Sequence, residues 1–218
     1  MTNDVRRATR ALAMTGAMVA LMTTMACTAT PDVAATATAT KDPAAAQVER
    51  GKYLVAIGGC NDCHTPLKMG PKGPEPDMTR YLSGHPEAMQ LPPAPKLEMP
   101  WMYVGSATNT AYAGPWGLSY AINLTSDETT GLGQWTEHGF VQSLKTGRHL
   151  GIATGRMIMP PMPWPAYSNM TDEDLKAMFA FLRTVPAVKN RVPDAIVAPP
   201  MPPPSAPDAS AGAGPARP

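Results

Sequence analysis

The chain has 218 residues, of which 44% are hydrophobic and only 16% charged, and its formal net charge is +1. Near-neutrality gives no electrostatic basis for binding a polyanion, so nucleic acid is excluded as the expected partner. Twenty-six prolines and 18 glycines in a chain of this length leave room for one folded domain with irregular flanks.

Arg6, Arg7 and Arg10 precede an almost wholly small or apolar run over residues 11–26. A basic segment followed by a short apolar one is the pattern of an export signal. The run is shorter than the ~20 apolar residues of a spanning helix, and threonines dilute it; an uncleaved amphipathic anchor is the alternative. Removing residues 1–26 takes away the three arginines and Asp4 and leaves 15 basic and 16 acidic side chains, so the charge balance stays uninformative. Cys27 ends the run. Thr24-Met25-Ala26 before it loosely resembles a lipobox, whose cysteine becomes the lipidated first residue, although leucine is usual where Thr24 stands. Cleavage nearby by the ordinary signal peptidase is the other reading. One acylated cysteine would anchor the chain to a membrane without threading it through. The expected location is the bacterial cell envelope, periplasmic or lipid-anchored. Residues 27–46, mostly Ala, Thr, Asp and Pro, bury too little apolar surface to fold and are expected to be a flexible tether.

The folded domain is expected over residues 47–192. A first helix is predicted from about Ala46 to Ile57, with Val48, Leu54, Val55 and Ile57 apolar and Gly58-Gly59 ending it. Cys60-Asn61-Asp62-Cys63-His64 follows at once. This C-x-x-C-H run is the attachment signature of a c-type haem. Two thiols three positions apart can add to two vinyl groups on one porphyrin edge, and the histidine supplies an imidazole to the iron. The competing readings are half of a zinc site or a redox dithiol. Zinc needs two more ligands, and only Cys27 and the unpaired His85, His138 and His149 remain. A dithiol on a thioredoxin-like fold needs a preceding strand, whereas a helix ends there. There is no second such run, so one covalent haem is expected, with Cys60 and Cys63 binding it and His64 on the metal.

Residues 65–122 are rich in Pro and Gly, with Trp101, Tyr103, Tyr112, Trp116 and Tyr120 scattered among them. No sustained period-two alternation is present, so little sheet is expected; the segment reads as irregular chain over the haem with the aromatics as packing anchors. A second helix is predicted from Thr136, with Phe140, Val141 and Leu144 on one face and Gly147 as C-cap. Met159-Pro160-Pro161-Met162-Pro163-Trp164-Pro165 comes next. Four prolines restrict this loop, so a thioether here is held at low entropic cost. The sixth ligand can be a methionine, a histidine or none; Met162, flanked by prolines and followed by Trp164 and Tyr167, is favoured by position over Met159. His85, His138 and His149 read as surface or supporting groups. Trp116, Trp135, Arg148 and Arg156 are the candidates to contact haem propionates. The third helix has Thr171 as N-cap, Asp174 closing a capping box, a Met170–Leu175 staple and a stripe of Leu175, Met178, Phe179 and Leu182. Residues 193–218, rich in Pro, Ala, Ser and Gly, read as a disordered tail.

Several of these pieces together resemble a known pattern. Arg50-Gly51-Lys52-Tyr53-Leu54, the C-x-x-C-H run with Thr65, Asn123-Leu124-Thr125-Ser126-Asp127 with Thr130-Gly131-Leu132-Gly133, Pro161-Met162-Pro163-Trp164 and Thr171-Asp172-Glu173-Asp174-Leu175 are similar to class I cytochrome c domains. Such domains occur in bacterial respiratory chains and in the cytochrome subunits of periplasmic alcohol and aldehyde dehydrogenases. The resemblance implies a mostly α, cytochrome c-like bundle of three or more helices around one haem, with Met162 as the axial methionine. It implies one-electron transfer and no substrate chemistry, with redox proteins as partners: a dehydrogenase as donor or a terminal oxidase as acceptor. An electron-accepting dehydrogenase subunit and a gas-binding or peroxidatic haem protein are the alternatives. Those subunits typically carry three haem motifs where this chain has one, and the Pro-rich stretch 66–100 is longer than usual.

Overall fold

The computed structural model describes residues 42–199. The expected export signal, Cys27, most of the tether and the tail beyond Pro199 lie outside the described residues. No helix among the described residues is long and apolar enough to cross a membrane.

Helix α1 spans Pro43–Ile57, three residues longer at its start than the apolar pattern indicates. Asp42 explains the extension: its side chain accepts a hydrogen bond from the Ala44 amide (3.1 Å), and Pro43 sits where a helix needs no amide donor. Helix α2 is the short Cys60–His64 turn. Helix α3, Glu137–Thr146, begins at Thr136, whose hydroxyl accepts from the Gly139 amide (3.0 Å), and ends at Gly147 as expected. A short α4, Trp164–Tyr167, leads to α5, Asp172–Leu182. Thr171 caps α5 by accepting from the Asp174 amide at 3.1 Å. The return half of the expected capping box is not made. The Asp174 carboxylate instead takes a bidentate hydrogen bond from Arg50 of α1 (2.9 and 3.1 Å), tying the first helix to the last.

Helices α1 and α3 pack on α5 around a core of Leu54, Val55, Phe140, Leu144, Leu175, Met178, Phe179 and Leu182. The rings of Phe140 and Phe179 lie 5.4 Å apart. Met170 packs against this core beside the fully buried Leu175, as a staple requires.

Helix predominates over strand, as expected for a mostly α fold, but two small sheets keep the architecture from being a plain helical bundle. Residues 65–122 carry most of two small antiparallel sheets. One is the hairpin β1 (Leu67–Gly70) and β2 (Gly73–Pro76). The other runs in the order β3 (Val104–Gly105), β4 (Ala111–Gly114), β5 (Gly117–Tyr120) and β6 (Ile196–Val197). Strand β6 falls in the segment read from composition as the start of the tail, and it pairs with β5 through Leu118↔Ile196 and Gly117↔Val197. The aromatics divide: Tyr112 is buried, but Trp101 is 72% exposed and anchors nothing inside.

Two buried polar groups lock the irregular segments. The Asn190 amide donates to the Ser83 and His85 carbonyls (2.7 and 2.9 Å) and accepts from Arg80 and the Glu87 amide (2.8 and 2.9 Å). Truncating it strands several polar atoms out of water, each worth about 1–3 kcal/mol. Asn190→Ala should therefore lower stability by about 3 kcal/mol, read as a lower urea midpoint at unchanged slope. His85, read as a surface or supporting group, is instead fully buried. Its Nδ1 lies 2.8 Å from Thr110 Oγ1 and its ring stacks on Tyr120 at 4.8 Å. Burial holds its pKa below the ordinary imidazole value. An unfolded chain takes up that proton below about pH 6.5, and the folded chain resists it. The stability that neutral His85 contributes is thus present above pH 6.5 and is lost as pH falls through the window down to the lower folded value. His85→Gln should flatten this acid limb in urea titrations run from pH 8 to 5.

Candidate functional site

The C-x-x-C-H turn is placed by its neighbours on both sides. Gly59 separates α1 from α2 with φ +69°, a left-handed conformation that glycine adopts without steric cost. Downstream, the Gly84 amide donates to the His64 carbonyl at 2.7 Å, and the buried Thr65 hydroxyl accepts from the Leu82 amide at 2.8 Å. Asn109 reaches in from the sheet region, its amide donating to the Asp62 carbonyl at 2.8 Å.

Cys60, Cys63, His64, Met159 and Met162 all line one cavity of about 310 Å³. Its inner wall is apolar, built from Leu124, Leu132, Phe140, Leu144, Met178 and Leu182. The motif, the methionine loop and the helical core therefore converge on a single space. Cys60 and Cys63 are not joined as a disulfide. Burial pushes the Cys60 thiol up to about 11, so it stands protonated.

His64 is buried, and its Nδ1–H donates to the Ile122 carbonyl at 2.7 Å. That bond fixes the ring and the tautomer and leaves Nε2 with the lone pair. Burial lowers the imidazole pKa against the opposing Ile122 bond, so the ring is neutral. A neutral imidazole, oriented through its far nitrogen, is the donor a metal centre needs. Ile122 is itself held by the turn after it: Asp127 accepts from the Thr129 and Thr130 amides (3.0 and 2.7 Å), and Asn123 donates to the Val188 carbonyl (2.7 Å).

The methionine loop is pinned at both ends. Ser119 of β5 donates to the Pro160 carbonyl at 2.6 Å, and the Tyr167 hydroxyl donates to the Gly58 carbonyl beside the cysteine turn. Met162 packs against the helical core, whereas Met159 only lines the cavity. Of the side chains considered for propionates, Trp135 and Arg156 line the cavity; Trp116 and Arg148 do not, Arg148 being turned to the Gly155 carbonyl (3.0 Å). His149 lines it too, edge-on to Trp135 at 5.3 Å. His138 is exposed and outside it. Among the described residues no cluster of three or more His, Cys, Asp or Glu forms.

Sequence reasoning missed two contributors. The Ile122 carbonyl orients His64. Ser119 holds Pro160. A backbone acceptor carries no side-chain signature, and Ser119 sits on a strand too short to be read. Tyr112, expected as a packing anchor, does line the cavity, with its hydroxyl 3.1 Å from Cys63 Sγ and donating to the Asn109 carbonyl at 2.6 Å.

The donor set fits a haem: two thiols and a neutral imidazole on one side of an apolar cavity, with thioethers beside it. Comparison with known proteins agrees. The chain is 30% identical over 136 residues to the gluconate 2-dehydrogenase cytochrome c subunit of Pantoea cypripedii, a match covering 62% of this chain and 22% of that one. It is 28% identical over 152 residues to the fructose dehydrogenase cytochrome subunit of Gluconobacter japonicus, covering 67% and 24%. It is also 28% identical over 158 residues to the alcohol dehydrogenase (quinone), cytochrome c subunit of Gluconobacter oxydans, covering 71% and 25%. This chain resembles the cytochrome c subunits of dehydrogenases. No family model matches the chain. The chain spans about a quarter of the length of the curated relatives it matches.

Proposed function

We propose that this chain is a one-electron carrier of the bacterial cell envelope. Cys60 and Cys63 would hold a single haem by thioether bonds, and His64 and Met162 would ligate its iron. The haem iron, when bound, accepts and returns single electrons. The observation that carries the reading is His64, whose Nδ1 is committed to Ile122 while the ring borders the apolar cavity that Met162 also lines. The chain's part is to bind and orient. The two cysteines fix the porphyrin edge, Ile122 sets the imidazole, and the core leucines and Phe140 keep water from the metal. A soft thioether favours the ferrous state and raises the potential. The pinned loop limits how far the sulfur moves when the charge changes. Arg156, Trp135 and His149 are placed to meet the carboxylates of the cofactor. With His64 and Met162 both committed to the iron, the chain would carry electrons and transform no substrate itself. An export signal over residues 1–26, and a lipid at Cys27, would hold it at the membrane surface.

The partner is a redox protein. The relatives are named as dehydrogenase subunits, which favours an electron-accepting role beside a dehydrogenase; co-purification with a catalytic subunit tests it. The cofactor test is direct. Acid–acetone extraction of protein made in cells that attach haem c should leave the pigment on the polypeptide, whereas Cys60→Ala combined with Cys63→Ala should release all of it.

A further inference from the structure

A second concavity lies on the opposite part of the sheet region. It is a groove of about 810 Å³ whose floor includes Leu118 and Tyr120 of β5 and whose walls include Leu91, Trp101 and Met102 on one side and Ile196 of β6 on the other. It meets the cavity at His64 only through Tyr120. None of its lining residues is charged. Its rim leaves Met99 89%, Trp101 72%, Met102 68% and Ile196 61% exposed. A contiguous apolar surface of this kind is an interaction site.

The course of the chain points to what covers it. Strand β6 is the edge of the four-stranded sheet, and the Ala198 amide donates to the Trp116 carbonyl at 2.9 Å. The chain therefore leaves the described fold at the groove's own edge. The next residues are Pro200-Met201-Pro202-Pro203-Pro204-Ser205-Ala206-Pro207, five prolines in eight residues with no charge. Such a sequence favours the polyproline II conformation, about 25 Å long for eight residues, and loses little entropy on docking. Proline-rich segments of this type dock in aromatic-lined grooves, and Trp101 and Tyr120 supply the aromatic faces here. Attachment one residue away gives an effective concentration in the mM range, which a second copy or a separate partner must match by collision.

We propose that residues 200–207 of this chain dock in cis in the Trp101–Tyr120 groove as a polyproline-type strap. The strap covers the apolar face and extends the domain beyond β6.

The test compares nitrogen–proton correlation spectra of the reduced full chain with those of a variant in which Pro202, Pro203 and Pro204 are each replaced by glycine. The Trp101 indole signal and the Leu118 and Tyr120 amide signals should move, while those of Leu175 and Phe179 stay in place. A synthetic peptide with the sequence of residues 199–207, added to the variant, should move the groove signals back. In the variant that also carries Trp101→Ala, the peptide should bind at least ~tenfold more weakly. Groove signals indifferent to the proline replacements overturn the proposal. Shifts that follow protein concentration and a doubled mass overturn it as well, because they make a second copy the occupant. The result is independent of the axial ligands and so fails or succeeds separately from the electron-carrier reading.

Discussion

Replacing Met162 with alanine should give a protein that, once reduced, binds carbon monoxide stoichiometrically, while the native protein binds essentially none. The haem should remain attached, because Cys60 and Cys63 are untouched. Three hydrogen bonds hold the loop. Ser119 fixes the Pro160 carbonyl at 2.6 Å, the Trp164 amide donates to the Met162 carbonyl at 2.9 Å, and Tyr167 ties the following turn to Gly58. A loop pinned this way cannot slide Met159 into the place of Met162, although both line the cavity. The Met162→Ala site therefore stays open for an added ligand. Met159→Ala is the comparison, and its visible spectrum should match the native one. If Met159→Ala opens the iron and Met162→Ala does not, the sulfur ligand is Met159. Ser119→Ala should fall between the two. It removes the tether and not the thioether, so it should speed carbon monoxide binding without making it stoichiometric at low concentrations.

The parts legible from sequence are those whose information is local. Thr136 and Gly147 bound α3, and Thr171 starts α5, because caps act within one turn of the residue that makes them. The stripe from Leu175 to Leu182 is buried because a 3.6-residue period puts those positions on one face. Cys60, Cys63 and His64 line one cavity for the same reason, being one contiguous run. What was illegible is non-local. Strand β5 pairs with a segment nearly eighty residues later, and each strand has at most four residues, several of them glycine or proline. No alternation can develop over such lengths. Asp174 shows how a distant partner overrides a local rule: the capping-box geometry was available, yet Arg50 from α1 took the carboxylate. His85 is the same lesson for burial. A histidine between glycine and proline reads as a loop residue, and only the approach of Thr110 and Tyr120 puts it inside.

Gly51→Val should be the most damaging single substitution outside the site. Helices α1 and α5 cross at Gly51, where the absence of a side chain lets the backbones touch. A Cβ built there runs into the carbonyl oxygen of Ala177 and lies 2.9 Å from Phe181 Cβ. Neither obstacle is the tip of a flexible side chain, so the helices must part. Exchanging glycine for alanine in a helix would by itself gain up to about 1 kcal/mol of propensity. Overpacking of a tight core contact costs about 1–3 kcal/mol, and here the collision is with buried backbone. Gly51→Ala should therefore lose about 2 kcal/mol net, and Gly51→Val, with two further carbons, about 4 kcal/mol. For a domain of this size that is a fall in Tm of roughly 10 °C for valine, against almost no change for the exposed neighbour Lys52→Ala. The consequence reaches the haem site, because α1 ends at Gly58, the residue that Tyr167 holds, and α2 begins two residues later. Separating α1 from α5 loosens the ground on which Cys60 stands. The valine variant should thus show reduced haem incorporation along with its lower Tm. An unchanged melting temperature in Gly51→Val would mean that the two helices do not cross at this residue.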